Sequence, residues 1–337
     1  MRKKQVLLYI MIVLITLLIV LLLVCLIIGL RKHSNVNADH KESYVNSIEM
    51  DQSDVIKEAD ALEEGLKPAQ IPVLKPEAPG TLTASNQYAV IDYSHTSDGY
   101  VMVKFTADTS KRLKSKVQGP DTAYTYNLTP GEWTVFPLSD GNGMYQVNVY
   151  ENVADNRYAL VLSADMSVSL EDEFAPFIRP NQYVNYENAV VTIETAASLA
   201  GNTDDMLEKV EIIYDYVVEN IKYDKKKAAT VAPGYLPDLD AVLAAKKGIC
   251  FDYASLMTGM LRSLGVPCKL VVGYAGEVYH AWINVWSEKT GWVDGAVFFD
   301  GTTWQRMDPT FASGNRNDPE AMAFIGDGTN YTTKYVY

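Results

Sequence analysis

Cysteine and histidine are scarce in this chain: three and four among 337 residues. So few cysteines exclude a disulfide scaffold and any cysteine-rich zinc or iron–sulfur site. There is no His-x-x-x-His, no Cys-x-x-Cys and no EF-hand loop, so no cofactor or metal is expected. A long basic stripe is also missing. Of the 29 Lys+Arg, five lie in residues 1–32, which hold no acid, so 33–337 carry 24 bases against all 42 acids, a net charge of −18. Such a surface repels phosphate backbones and argues against a nucleic-acid partner. With 48 % hydrophobic and 21 % charged residues the chain is nonetheless built to fold.

There is one long hydrophobic run. Val6 to Ile28 is a 23-residue stretch without charge, and as a helix it would span roughly 34 Å, enough for a hydrocarbon core. Val36-Asn37-Ala38 resembles a signal cleavage site, but the apolar run is longer than a signal peptide's, and Arg31 and Lys32 sit where that region should be neutral. Cys25 lies inside the run as an apolar filler. Residues 1–32 are therefore expected to be an uncleaved anchor. The basic N-terminus would remain inside the cell and the acidic bulk outside. Residues 33–81 hold ten acids, four bases, four prolines and one aromatic residue, the composition of a linker rather than a packed domain.

From 82 to about 175 the pattern is of short alternating strands: Gly99–Phe105, Trp133–Leu138, Met144–Val153 and Arg157–Leu170, with Asp140-Gly-Asn-Gly as a hairpin signal. An antiparallel, Ig-like β-sandwich is expected. Its aromatics Tyr124, Tyr126, Trp133 and Tyr145 read as strand packing rather than a glycan site, and His95 as a solvated loop residue.

Past a connector at 171–186 the period changes, and 176–337 reads as a second domain. Thr203-Asp-Asp205 starts a helix with Leu207, Val210, Tyr214, Val217 and Ile221 on one face. A short helix is expected at Ala241–Lys246. Cys250 then opens a third helix, marked by Ala254, Met257, Leu261 and Leu264 and stopped by Gly265 and Pro267. A thiol at a helix start is favoured as thiolate by free amides and the helix dipole. Cys268, at the head of an apolar strand, is expected to be inert, and a helix of roughly 20 Å separates the two sulfurs, which rejects a disulfide.

The base for such a thiol can only be His280, the one histidine after residue 96. In His280-Ala-Trp-Ile-Asn-Val-Trp286, alternation assigns Ala281, Ile283 and Val285 to the core and His280, Trp282, Asn284 and Trp286 to a cleft wall. An acid should orient the imidazole. Asp294 and Asp300 precede glycines and read as turn residues, whereas Asp308 ends a strand before Pro309, so Asp308 is the candidate.

Lys247-Gly-Ile-Cys250-Phe-Asp-Tyr-Ala254, Leu261-Arg-Ser-Leu-Gly-Val-Pro267, Gly273-Tyr, His280-Ala-Trp and Met307-Asp-Pro-Thr310 resemble, in this order, the core of the transglutaminase-like superfamily. The resemblance covers about residues 180–315. It implies a papain-like α+β fold with Cys250 as nucleophile, His280 as base and Asp308 as its orienting acid. The longer His-to-Asp spacing reflects an insert at 291–301. The expected protein is a membrane-anchored extracellular thiol enzyme that attacks amides of a protein or peptide, cell-wall peptide included, through an acyl-thioester. Hydrolysis and amine transfer stay open, and Tyr235 and Tyr253 are the candidate second oxyanion donors beside the Cys250 amide. The alternative is a non-catalytic surface binding or assembly module.

Overall fold

The computed structural model describes residues 71–287, 291–293, 297–299, 304–306, 308–310, 313 and 330–337. The expected anchor at 1–32, most of the expected linker, and Asp294 and Asp300 lie outside the described residues. Among the described residues no helix is long and apolar enough to cross a membrane.

The first half is all β. Strands β1 (Thr83–Ser85), β2 (Ala89–Asp92), β3 (Tyr100–Phe105) and β6 (Trp133–Pro137) form one antiparallel sheet in the order β1-β2-β3-β6. Strands β4 (Leu113–Gln118), β5 (Ala123–Leu128), β7 (Gly143–Ala154) and β8 (Arg157–Val168) form another in the order β5-β4-β7-β8. Period-2 burial is plain in β4, where Leu113, Ser115 and Val117 are buried and Lys114 and Lys116 are not. The buried faces of the two sheets meet: Tyr126 of β5 stacks on Phe136 of β6 with centroids 4.2 Å apart. Tyr124, Tyr126 and Tyr145 are core residues as expected, whereas Trp133 is exposed.

Residues 71–80 have no regular structure, yet they lie on this body. Val73 packs against the core, the Glu77 amide donates to the Tyr100 hydroxyl (3.1 Å) and the Gly80 amide to Asp92 (2.7 Å). Prolines deny this segment a sheet ladder, so side chains take its amides instead.

The second half surrounds one helix. Helices α1 (Val190–Ala200), α2 (Met206–Asn220), α3 (Lys225–Thr230), α4 (Leu239–Ala245) and α5 (Cys250–Ser263) alternate with the two-residue strands β9 (Lys222–Tyr223) and β10 (Lys247–Gly248). Strands β11 (Cys268–Ala275), β12 (Val278–Ser287), β13 (Gly291–Val293) and β16 (Tyr331–Val336) form an antiparallel sheet in the order β13-β12-β11-β16. The insert supplies β13 and β14 (Val297–Phe299), and β14 pairs with β15 (Trp304–Arg306), just beyond the insert, in a separate two-stranded sheet. Helix α1 was not foreseen; its run Val190-Val-Thr-Ile-Glu is rich in β-branched residues, its N-cap residue Ala189 has no capping side chain, and its first amides are taken by the distant Asp240 instead. The helix of the Thr203 motif begins later than expected. Asp205 is its cap, accepting from the Leu207 (2.8 Å) and Glu208 (3.2 Å) amides, while Thr203 accepts from the Asp205 amide.

Helix α5 is buried from Asp252 to Ser263, not only along its apolar stripe. Helices α1, α2 and α4 cover it on one side and β11 and β12 on the other. A helix enclosed on all sides is the central element of its half, which fixes its first residue firmly.

Both halves share one hydrophobic core, and the described residues belong to one compact unit. Tyrosines make the junction: Tyr126 of β5 packs on Tyr183 of the connector and Tyr337 at centroid distances of 5.6 and 6.0 Å. Arg179 adds an ion pair to Asp98 at 2.8 Å.

Candidate active site

Cys250 is the first residue of α5, so its own N–H has no intrahelical acceptor. The turn before it is held from inside the helix. Asp252, fully buried, reaches back and accepts from the Ile249 amide at 2.8 Å. Gly248 makes this possible, since a Cβ there would stand 2.5 Å from the Asp252 Cβ.

Two further groups grip the same carboxylate. Lys227 donates to Asp252 Oδ2 at 2.7 Å and Tyr235 donates to Oδ1 at 2.6 Å, with Lys227 and Tyr235 themselves 2.6 Å apart. Burial opposes the Lys227 ammonium, but its bonds to Asp252 and Tyr235 outweigh that and raise its pKa. The segment from α3 to Tyr235 is thereby clipped to the start of α5. Sequence reasoning missed this clip, although an acid three residues after a helix cap is a known capping signal.

His280 lies on β12 opposite Gly273 of β11. Its Nε2 is 2.6 Å from Asp308 Oδ2, with His280 5 % and Asp308 1 % exposed. Asp308 is steadied by the Thr310 amide, which donates to Oδ1 at 2.9 Å, and by the Tyr331 hydroxyl at 3.4 Å. Burial alone would push the His280 pKa down. The charge and hydrogen bond of Asp308, followed by a hydrogen bond and charge from Cys250, reverse the direction and raise it to about 10. With Nε2 on Asp308, Nδ1 is the ring nitrogen left for the sulfur. The three expected residues are thus brought together, Cys250 and His280 side by side and Asp308 behind the ring.

Cys250 and His280 open into a cleft of about 550 Å³. Its wall is apolar and aromatic, with Tyr183, Tyr223, Tyr235, Phe251, Tyr279 and Tyr337 among the lining residues. Burial and then the Cys250 charge raise the Tyr223 hydroxyl pKa, which puts this unforeseen residue within electrostatic reach of the sulfur.

Other expectations need correction. Trp282, Asn284 and Trp286 do not line the cleft: Trp282 is 2 % exposed and meets Tyr331 edge-on at 5.2 Å, and Trp286 packs on Phe174 at 4.7 Å. The second face of β12 is covered too, so alternation there separates two buried environments rather than core from cleft. Tyr253 is fully buried, with its hydroxyl on the Ile221 carbonyl (2.6 Å) and Ser313 (3.0 Å), and Tyr235 lines the cleft but gives its proton to Asp252. Neither hydroxyl is available to an oxyanion. His95 does lie in a turn and is partly exposed, as expected, and its Nδ1 pairs with Asp98 of the same turn at 2.7 Å.

Both described cysteines are free thiols. Cys268 is completely buried beside Thr258, and burial pushes its pKa up to about 11. Iodoacetamide at neutral pH, followed by peptide mapping, should therefore label Cys250 in the cleft long before Cys268. Equal labelling of folded protein would contradict this difference.

Residues 193–309 match the family model of the transglutaminase-like superfamily. Two curated proteins are similar over part of the chain. One is the uncharacterized protein YebA of Bacillus subtilis, 28 % identical over 117 residues, which are 29 % of this chain and 16 % of that protein. The other is a protein-glutamine gamma-glutamyltransferase of Pseudomonas aeruginosa, 30 % identical over 89 residues, 22 % of this chain and 13 % of that protein. The chain thus spans less than a fifth of the length of either relative. A solved candidate cysteine protease of Cytophaga hutchinsonii is similar over 71 % of this chain and 76 % of that chain, at 14 % identity and a TM-score of 0.36.

Proposed function

Because residues 193–309 match the family model of the transglutaminase-like superfamily, we propose that the protein is a thiol enzyme acting on amide bonds of proteins or peptides through an acyl-thioester, with Cys250, His280 and Asp308 as its triad. The observation that carries this reading is the shared cleft: the Cys250 sulfur and the His280 ring meet in it, and Asp308 holds the far ring nitrogen at 2.6 Å.

In the first step the sulfur attacks the amide carbonyl carbon. The C–S bond forms, the C–N bond breaks, and the protonated His280 delivers its proton to the departing amine. The Cys250 amide at the start of α5 faces the developing oxyanion. In the second step water or a second amine attacks the thioester carbonyl, His280 accepts the proton, and the thiolate leaves. Water yields a carboxylic acid; an amine yields a new amide.

Residues 1–32 are the anchor in this reading, with 33–337 outside the cell as linker, Ig-like sandwich (82–175) and papain-like catalytic domain (176–337). Support comes from the uncharged 23-residue run with bases before it.

Peptide libraries incubated with the full chain, with and without an amine donor, and read by mass spectrometry distinguish the outcomes. Products that disappear in Cys250→Ala are expected, as free acids, new amides or both. Their persistence in Cys250→Ala would overturn the thiol mechanism. Protease added to intact cells should remove the ectodomain; protection from it would overturn the orientation.

A further inference from the structure

A second hollow, of about 690 Å³, lies against the cleft. Lys222, Lys225, Lys246 and Lys247 line it, and so does Tyr223, which also lines the catalytic cleft. One aromatic side chain therefore forms a shared wall.

The fold makes this cluster from two distant segments. Strands β9 and β10 pair in parallel, Lys222 opposite Lys247 and Tyr223 opposite Gly248, with the Lys222 amide donating to the Lys246 carbonyl at 3.0 Å. Strand β10 runs directly into Ile249 and Cys250, so the lysines sit on the backbone that presents the nucleophile.

Their charge is largely uncompensated. Asp224 is engaged already, capping α3 at the Lys227 amide (2.9 Å) and pairing with Lys247 at 3.4 Å. Glu219, the other acid of the lining, has a partner of its own. Lys222, Lys225 and Lys246 are exposed and have no ion pair among the described residues. Ammonium groups gathered at one edge of the cleft contrast with a chain that carries −18 over residues 33–337.

We infer that this hollow is a substrate subsite for a carboxylate-rich peptide, engaging acidic residues a short way along the chain from the attacked amide. The inference rests on the reading of the cleft as an amide-processing site and adds its selectivity. The apolar wall of the cleft takes the neutral reacting segment, and the lysines take the flanking carboxylates. An acidic ligand also gains most here, because elsewhere the protein's own charge repels it.

Binding tests this without chemistry. Full-length protein in detergent, its Cys250 blocked by alkylation, is titrated against a glutamate-rich fluorescent peptide and against the same peptide with glutamine at those positions. The glutamate peptide should bind about tenfold tighter at low salt, each exposed charge pair contributing modestly. Raising the salt from about 0.05 to about 0.5 M should erase most of the difference. Lys222→Gln/Lys225→Gln/Lys246→Gln should remove the preference at an unchanged melting temperature, while Lys104→Gln/Lys116→Gln on the β-half should keep it. Equal affinity for both peptides, or a preference surviving the triple change, overturns the subsite. So does lysine-dependent binding to phosphatidylglycerol vesicles that the glutamate peptide fails to compete, since the patch would then face a membrane. A dead enzyme that still shows the lysine-dependent preference would refute the catalytic reading and leave the subsite standing.

Discussion

Cys250→Ala and His280→Ala are each expected to abolish turnover, whereas Asp308→Asn should leave a slow enzyme. In the proposed mechanism the sulfur makes the covalent bond and the imidazole moves the proton, and no other thiol or imidazole lines the cleft among the described residues. Asp308 acts only through the ring it holds. Its loss should lower kcat by about 10³- to 10⁴-fold with little change in KM, as expected for an interaction that matters mainly in the transition state. The His280→Ala/Asp308→Asn double change should be little worse than His280→Ala alone, because the groups act as one unit.

A pH profile separates this role from a structural one. The His280 pKa is raised to about 10 chiefly against burial, by the Asp308 charge and hydrogen bond. Asp308→Asn removes the charge, so the ring should deprotonate at lower pH and the alkaline limb of kcat should move down. The same shift carries a stability term. A histidine whose folded pKa lies above its ordinary value of 6.5 stabilises the fold fully below that pH and ceases to do so as pH rises through about 10. Wild type should therefore lose stability on that alkaline rise, and Asp308→Asn should lose less. An unmoved alkaline limb in Asp308→Asn, or full activity beside inactive Asp294→Asn or Asp300→Asn, would assign the orienting acid elsewhere.

The second large effect is expected at Asp252, which never touches substrate. Its carboxylate gathers the Ile249 amide, the Tyr235 hydroxyl and the Lys227 ammonium. Asp252→Ala removes a helix cap and strands these donors, for a cost of about 2–4 kcal/mol. The change also frees the turn that carries Cys250 and unclips the α3 segment from the cleft. A nucleophile displaced by an ångström can cost about 100-fold in rate, so kcat should fall even well below the melting temperature. Asp252→Asn keeps an acceptor for the Ile249 amide and should recover much of the stability but less of the rate, having lost the Lys227 pair. If Asp252→Ala melts early yet alkylates and turns over normally when folded, the residue is structural alone.

Local structure was legible around Cys250. Gly248, Cys250 and the apolar spacing through Leu264 announce a helix that begins at a thiol, and α5 does start at Cys250. The strand period at His280 and the β-pattern of the first half were equally readable. The start of α2 was misjudged because Thr203, Asp204 and Asp205 are all good caps, and only packing chooses among them. The burial of Trp282 was misjudged for a related reason: alternation reports that two faces differ, not what covers the second one.

The sequence by itself determined what is written within a few residues of each position: a thiol on a helix start, an imidazole on a strand, an acid before a proline, and an acidic balance of charge after residue 32. Only the tertiary structure decided which of these groups meet. The His280–Asp308 contact at 2.6 Å spans 28 residues, the Lys227–Asp252 clip spans 25, and the lysine hollow depends on a two-residue parallel pairing. No local pattern encodes such contacts, because hydrophobic periodicity specifies one buried face per element. The choice of partner for that face is made by the close packing of all elements at once.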